Sequence, residues 1–229
     1  VNRPNLNFRG FSGTISSGEI KVGDEIINIP SNQKAKVKEV YLGEKSIKSA
    51  TLNNSVTITL NKEIDISRGD VICKSNSPIE ASDQFNINII WMGHEKCFPG
   101  RTYIAKIHNI SGGIKILGIK KLYNVNTLEY QPSKELKLND VAEVTVSFNK
   151  KIPYSNYKAN RVLGSMILID PLSNQTIGVG MINFSLRRSQ NIYLQNLSIN
   201  QELREKLNGH KGQVLWLTGL SGSGKSTIA

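Results

Sequence analysis

The chain has 229 residues, 38% of them hydrophobic, and a formal net charge of +11. This length favours two ordinary domains with separate cores over one large domain, and no apolar stretch approaches the roughly 20 residues of a membrane-spanning helix. Residues 1–77 contain 11 basic and 8 acidic side chains, residues 78–184 contain 12 and 8, and residues 185–229 contain 6 and 2. The excess of positive charge, 3, 4 and 4, is therefore spread along the chain and does not indicate a dedicated nucleic-acid-binding surface.

Residues 1–77 have the pattern of a small β-barrel. Alternating apolar positions in FRGFSGTISSGEIKVGDEIINI, with glycines at Gly18 and Gly23, predict a hairpin and then another strand that ends at Pro30. The stretches KAKVKEVYL, SVTITL and DISRGDVICK continue the series of strands, the last after a glycine–aspartate turn. Five or six strands at this short spacing predict a barrel.

A second all-β body is predicted over residues 78–184. The polar stretch SNSPIEASDQ, with its proline at Pro78, predicts the boundary between the two bodies. Strands then resume in FNINIIWM, RTYIAKIHNI, GIKILGIKKLYNV, VAEVTVSFN, SMILIDP and TIGVGMINF. Trp91 lies in the first of these apolar strands and is predicted to belong to the core.

The character of the sequence changes after Phe184. Residues 185–209 are predicted to be a polar linker with one short helix from about Ile199 to Asn208, which Gly209 can terminate. Residues 210–229 begin with an apolar stretch, QVLWLTGL, typical of a buried parallel strand. The predicted fold is therefore mainly β, with two consecutive barrels, a linker and the first strand of an α/β domain.

The motif with the clearest chemistry is GLSGSGKS, which matches GxxxxGK[ST] between an apolar strand and the helix-compatible STIA. Glycines let successive backbone amides point at phosphate oxygens, and the following helix N-terminus adds positive potential. Lys225 is predicted to reach the outer phosphates of ATP, and the Ser226 hydroxyl to ligate Mg²⁺. The predicted phosphate-binding residues are Gly219, Leu220, Ser221, Gly222, Ser223, Gly224, Lys225, Ser226 and Thr227.

The motif is specific for binding and not for reaction type, because kinases, NTPases and transport ATPases share it. The acidic residue that orients Mg²⁺ and the acceptor site come from later strands in such folds, so we expect the α/β domain to be truncated. The 229 residues alone are expected to bind ATP poorly and to be inactive. The alternative interpretation is that the motif is a glycine–serine turn that matches the pattern by chance.

Several separated motifs resemble a known family. VNRPNLNFRGFSGTISSG, KEIDISRGDVI, IIWM and MILIDPLSNQTIGVGMI are similar to the GTP-dependent large subunit of bacterial sulfate adenylyltransferase, with its two translation-factor-type barrels. GHKGQVLWLTGLSGSGKSTIA resembles the start of adenylylsulfate kinase, which some bacteria fuse behind that subunit. The resemblance implies that residues 1–77 and 78–184 are the two barrels and that 210–229 begin the kinase.

This resemblance implies a bifunctional sulfate-activation enzyme. GTP hydrolysis, in an N-terminal domain that this sequence lacks, is coupled to adenylylsulfate synthesis from ATP and sulfate, and the kinase then phosphorylates the 3′ hydroxyl of adenylylsulfate. The implied cofactors are ATP and GTP, each with Mg²⁺, and the implied partner is the small subunit. It also implies that the edge carrying Arg9 faces the GTPase domain.

Two other functions stay open from the sequence. The barrels could form an RNA-binding or translation-factor module, to which the basic balance would contribute. Against it, such factors place the phosphate loop before their barrels, and the thin spread of the charge disfavours nucleic acid as a partner. They could also regulate a different phosphate-loop kinase. Cys73 and Cys97 lack metal-site or disulfide spacing, which predicts reduced thiols and a cytoplasmic protein without membrane association.

Overall fold

A computed structural model describes residues 2–3, 8–186, 206 and 208–210. The chain divides into two compact units, Val1–Gln190 and Asn191–Ala229, and nearly all described residues lie in the first. The described residues of that unit are mainly β-strand, with one one-turn helix among them, as the sequence predicts. No helix among the described residues is long and apolar enough to cross a membrane.

The first barrel is built around an antiparallel ladder in the order β10, β5, β6, β9, β3, with β7 paired to β6. A two-stranded sheet of β4 and β8 and a short pair of β1 and β2 accompany it. The strands are β1 (Asn2–Arg3), β2 (Phe8–Arg9), β3 (Phe11–Thr14), β4 (Glu19–Lys21), β5 (Glu25–Ile29), β6 (Lys34–Leu42), β7 (Lys45–Ile47), β8 (Ser49–Thr51), β9 (Ser55–Leu60) and β10 (Val71–Lys74).

The sequence locates these strands but not the partners of the first ones. The expected hairpin after Phe8 is wrong, because β3 pairs with β9 and β4 pairs with β8 instead of with each other. The turn residues between strands are predicted correctly, since Gly18 and Gly23 both have positive φ, at 70° and 89°. Turn glycines shape the local chain, whereas partner choice depends on contacts distant in sequence.

The second barrel closes on itself. Six strands follow one another in the order β12, β16, β17, β11, β15, β13, and β13 pairs back with β12, while β14 is attached outside the ring to β13. The elements are β11 (Ala81–Trp91), β12 (Thr102–Ile107), β13 (Ile110–Asn124), β14 (Glu129–Gln131), β15 (Val141–Pro153), α1 (Arg161–Gly164), β16 (Ser165–Ile169) and β17 (Thr176–Ser185).

Alternation along the strands sends one side of each into the barrel interior. In β11, the core residues Phe85, Ile87, Ile89 and Trp91 are at most 2% exposed, which confirms the core position predicted for Trp91. The first barrel has a smaller, aliphatic core that contains Ile26, Val37, Val40, Val56 and Ile58.

Candidate functional site

The predicted phosphate loop, Gly219 to Thr227, lies outside the described residues, and so do the predicted strand QVLWLTGL and most of the predicted linker helix. ATP binding by these residues and Mg²⁺ ligation by Ser226 therefore stay predictions. Ahead of the loop, Lys206 and Asn208 to His210 are exposed. Gly209 has a φ of +71°, the left-handed conformation of a glycine that ends a helix.

A groove among the described residues lies along β6 and β9 of the first barrel. It has a volume of about 240 Å³ and is lined in part by Arg9, Lys38, Glu39, Thr59 and Glu63. Small-molecule pockets usually have roughly 300–1,000 Å³. The groove is therefore better suited to one or two side chains of a neighbouring protein domain than to a nucleotide.

Arg9 is held at the rim of this groove by two contacts. Its Nη1 lies 2.9 Å from Oε1 of Glu63, and its guanidinium carbon lies 5.8 Å from the ring centroid of Phe11. Side-chain exposures of 49% for Arg9 and 80% for Glu63 make this a surface ion pair, which contributes about 0–1 kcal/mol to stability. Glu63 can be displaced, so Arg9 remains accessible to another carboxylate.

The floor of the groove contains an uncompensated polar atom. Thr59 is 7% exposed, and its Oγ1 has no hydrogen-bond partner among the described residues. Its cross-strand neighbour Glu39 is engaged elsewhere, because the Tyr41 hydroxyl donates to Glu39 Oε2 over 2.7 Å. A buried hydroxyl without a partner costs stability.

The two barrels touch through specific contacts inside the first unit. Asn160 Nδ2 donates to the Ser16 backbone oxygen at 3.2 Å and lies 3.3 Å from the Ser16 hydroxyl. The same amide caps α1, since its Oδ1 accepts from the backbone N–H groups of Val162 and Leu163. Gly69, at the glycine–aspartate turn of the first barrel, packs against Ile110 of the second.

A cluster of titratable groups at one end of the second barrel is structural. Trp91 Nε1 donates to the Glu95 carbonyl over 2.9 Å, and the Trp91 and Tyr103 rings meet edge to face at 5.5 Å. Burial raises the pKa of the Cys97 thiol and of the Tyr103 hydroxyl, so both are neutral near pH 7. A buried neutral thiol is a poor nucleophile.

Cys73 and Cys97 are both free, as predicted. Among the residues that the structure describes, no group of three or more His, Cys, Asp or Glu side chains could hold a metal ion. The residues for which the sequence predicts nucleotide chemistry, Gly219 to Thr227, lie outside the described part of the chain.

Comparison with known proteins first defines the class. The family described as GTP-eEF1A C-terminal domain-like matches residues 84–183, the second barrel. The crystal structure of Sup35 complexed with GMPPNP superimposes with a TM-score of 0.71 at 17% identity, covering 78% of this chain and 44% of that one. The fold is thus that of the paired β-barrels of translation-factor-type GTPases.

More similar sequences define the particular relatives. The chain is 39% identical over all 229 residues to Bifunctional enzyme CysN/CysC of Xylella fastidiosa and 39% identical to Bifunctional enzyme NodQ of Rhizobium tropici, covering 37% and 36% of them. It is 40% identical over 182 residues, or 80% of its length, to Sulfate adenylyltransferase subunit 1 of Saccharophagus degradans, covering 39% of that protein.

These alignments confirm the resemblance inferred from the motifs. The chain is a homologue of the bifunctional CysN/CysC and NodQ enzymes along its whole length, and of sulfate adenylyltransferase subunit 1 over most of it. It spans a little over a third of the length of these curated relatives.

Proposed function

We propose that the chain is part of a bifunctional sulfate-activation enzyme. The parent protein couples GTP hydrolysis to adenylylsulfate synthesis from ATP and sulfate and then phosphorylates the 3′ hydroxyl of the product. The observation that carries this proposal is that single relatives named as bifunctional enzymes align with all 229 residues, barrels and phosphate-loop motif together. The barrels and the loop therefore have the same order in those proteins as here.

The chemistry explains why the two activities benefit from one chain. Adenylylsulfate contains a high-energy mixed anhydride, so its formation from ATP and sulfate is unfavourable. Coupling to GTP hydrolysis drives the formation, and consumption of the product by a kinase pulls it further. A fused kinase meets its substrate at the site of synthesis.

For the barrels we propose a relay between the GTP domain and the small subunit. The contacts of Asn160 with Ser16 and of Gly69 with Ile110 support this role, because they join the barrels at two separate points. A displacement imposed on the first barrel can therefore be passed to the second. The groove around Arg9 is suited to receive the GTP domain at the other end of the relay.

For residues 210–229 we propose the opening of the kinase domain. Lys225 would contact the outer phosphates of ATP, and Ser226 would ligate Mg²⁺, while Gly219, Gly222 and Gly224 leave the backbone amides open to phosphate oxygens. We also propose a cytoplasmic enzyme whose substrates are small molecules. Its free cysteines support that location.

The test uses the intact parent protein, purified with its small subunit. Pyrophosphate release from ATP and sulfate should rise severalfold when GTP is added, and the second product, 3′-phosphorylated adenylylsulfate, should follow. Lys225→Ala should reduce 3′ phosphorylation by at least 100-fold and leave GTP-stimulated pyrophosphate release intact. Absence of GTP stimulation would contradict the first activity, and unchanged phosphorylation in the variant would contradict the role of the loop.

A further inference from the structure

A turn of the first barrel meets the second barrel at close range. We call residues 67–70, which directly precede β10, the junction turn. Its glycine, Gly69, is buried and has a φ of +101°, and a Cβ added there would lie 2.6 Å from Ile110 Cγ1 and 3.6 Å from the Asn109 carbonyl oxygen. The position of this turn therefore decides how the two barrels meet at this point.

The junction turn is closed by its own aspartate. The Asp70 N–H donates to the Ser67 carbonyl at 3.1 Å, and Asp70 Oδ2 accepts from the Ser67 N–H at 3.0 Å. Aspartate commonly organises turns through such bonds to the backbone. These two bonds fix the shape of the turn, but they lie within it and do not fix its place on the first barrel.

The place of the turn is fixed by Asn28, a β5 residue that is 0% exposed. Its Nδ2 lies 2.8 Å from Asp70 Oδ2, 2.9 Å from the Asp65 carbonyl oxygen and 3.0 Å from Ser31 Oγ. We call these four residues the Asn28 network. Through one amide, the network ties the junction turn and the segment ahead of it to the connection between β5 and β6.

The Asn28 amide has more acceptors than it can serve. Its nitrogen carries two hydrogens, so it cannot donate fully to three oxygens at once. Its Oδ1 is buried and has no hydrogen-bond partner among the described residues. A buried amide oxygen without a partner costs stability, and an apolar side chain at this position would avoid that cost. The amide is therefore better explained by the position that it imposes on the turn than by a gain in stability.

We propose that Asn28 is a positioning residue for the contact between the barrels, which it controls through Asp70. When Asn28 donates to Asp70, the junction turn is held in the first barrel. When both hydrogens go to Ser31 and Asp65, the turn is released and can move with Ile110. Two discrete arrangements of a packed element are what coupling between distant sites requires.

The consequence for catalysis rests on the proposed function, in which the barrels relay the state of the GTP domain. Such a relay needs a contact between the barrels that responds to a displacement on one side, and the Asn28 network lies on the first-barrel side of this contact. Loss of the network should therefore reduce the stimulation by GTP and leave the basal synthesis of adenylylsulfate intact.

The decisive variant is Asp70→Ala in the intact parent protein, because it frees the junction turn and leaves the other two bonds of Asn28 in place. Hydrogen exchange followed by mass spectrometry should rise severalfold in the junction turn and also in residues 108–112 of the second barrel. Asn28→Ala should reproduce this result. Asp70→Asn should exchange like the unmodified protein, since its amide oxygen still accepts from Asn28 and from the Ser67 N–H.

Asn61→Ala is the matched control, because Asn61 also bonds within the first barrel, where its Oδ1 accepts from the Lys36 N–H at 2.8 Å. Asn61 lies outside the Asn28 network, so exchange should rise near Lys36 and stay unchanged in residues 108–112. If Asp70→Ala raises exchange only within the first barrel, the junction turn does not act on the second barrel and the inference is overturned.

A second measurement examines the same variants in catalysis. Pyrophosphate release by the parent protein with its small subunit is compared with and without GTP. The ratio should fall severalfold in Asp70→Ala and stay unchanged in Asp70→Asn and Asn61→Ala, while release without GTP stays the same in all three. Raised exchange in residues 108–112 with an unchanged ratio would overturn the role in coupling. If the unmodified parent shows no stimulation by GTP, the proposed function fails, whereas the exchange result still decides the positioning by Asn28.

Discussion

The two barrels solve the same architectural problem in different ways. The second joins six strands into a ring through the β12–β13 pairing, whereas the ladder of the first ends at β10 and β3 and is supplemented by the separate β4–β8 pair. Ring closure removes free strand edges, which an open ladder must protect by other means. The comparison indicates that the second barrel is the self-sufficient body and the first the adaptable one.

The hydrophobic cores of the two barrels also differ. The core of the second barrel includes the aromatic residues Phe85, Trp91, Tyr103 and Phe148, and Phe85 meets Phe148 edge to face at 5.8 Å. The buried core of the first barrel is aliphatic, and its aromatic residue Phe11 is only partly buried. Large aromatic side chains contribute more buried apolar area each, so the second barrel should resist unfolding more strongly.

The largest expected effect tests this difference in the core. Trp91→Ala should lower the free energy of unfolding by about 3–5 kcal/mol, because it removes a buried indole and leaves a cavity, and Ile58→Ala in the first barrel by about 2–4 kcal/mol. Urea denaturation followed by circular dichroism measures both. If the barrels unfold cooperatively, both variants shift one transition; two separate transitions would show that the barrels are independently stable.

A second prediction concerns the contact between the barrels. Gly69 has a φ of +101°, and a Cβ added there would lie 2.6 Å from Ile110 Cγ1, whereas Gly100 has a φ of +96° with nothing within 4 Å of such a Cβ. Gly100→Ala should lower the free energy of unfolding by about 1–2 kcal/mol through backbone strain alone. Gly69→Ala should cost about 1–2 kcal/mol more, because the clash is added.

Chemical denaturation of the two glycine variants isolates the contribution of the barrel contact. In the double variant, Ile110→Ala should relieve the clash and recover part of the additional loss of stability in Gly69→Ala. The backbone strain at position 69 should remain. Equal destabilisation by Gly69→Ala and Gly100→Ala would show that the contact between Gly69 and Ile110 is loose, and that the barrels are joined mainly through Asn160.

A third prediction separates the two roles of Asn160, which caps α1 and contacts Ser16. Asn160→Ala removes both the cap of α1 and the bonds to Ser16 and should cost about 1–2 kcal/mol. Asn160→Asp keeps a capping acceptor for Val162 and Leu163 but loses the amide donor, so its cost should be about half as large. A thermal melt of each variant measures the difference, and equal losses would mean that capping contributes little.

The sequence predicts the strands well because alternation and turn glycines are local signals. It failed for the partner of β3, since pairing with β9 joins residues more than 40 positions apart and no local pattern encodes that choice. Of the candidate site residues, the phosphate loop stays a prediction from spacing, because it lies outside the described residues. Thr59 and Asn28 were missed, because a buried polar atom without a partner becomes visible only in three dimensions.

The smallest expected effect is a pH dependence confined to the second barrel. Burial lowers the pKa of His108, opposed by a hydrogen bond to the Pro153 carbonyl, and its Nε2 is buried without a partner among the described residues. The unfolded chain, with a histidine pKa near 6.5, therefore binds a proton more readily than the folded one. The contribution of His108 to stability should be complete well above pH 6.5 and should be lost as the pH falls from about 6.5 towards the lower folded-state pKa.

His108→Asn isolates this contribution, because asparagine accepts the φ of +39° at this position and does not titrate. Urea midpoints measured from pH 7.5 down to 5 should decline less steeply in the variant than in the unmodified chain. The control variant is His94→Asn, which replaces an exposed histidine side chain by the same residue. Parallel declines in the unmodified chain and His108→Asn would place the acid sensitivity elsewhere.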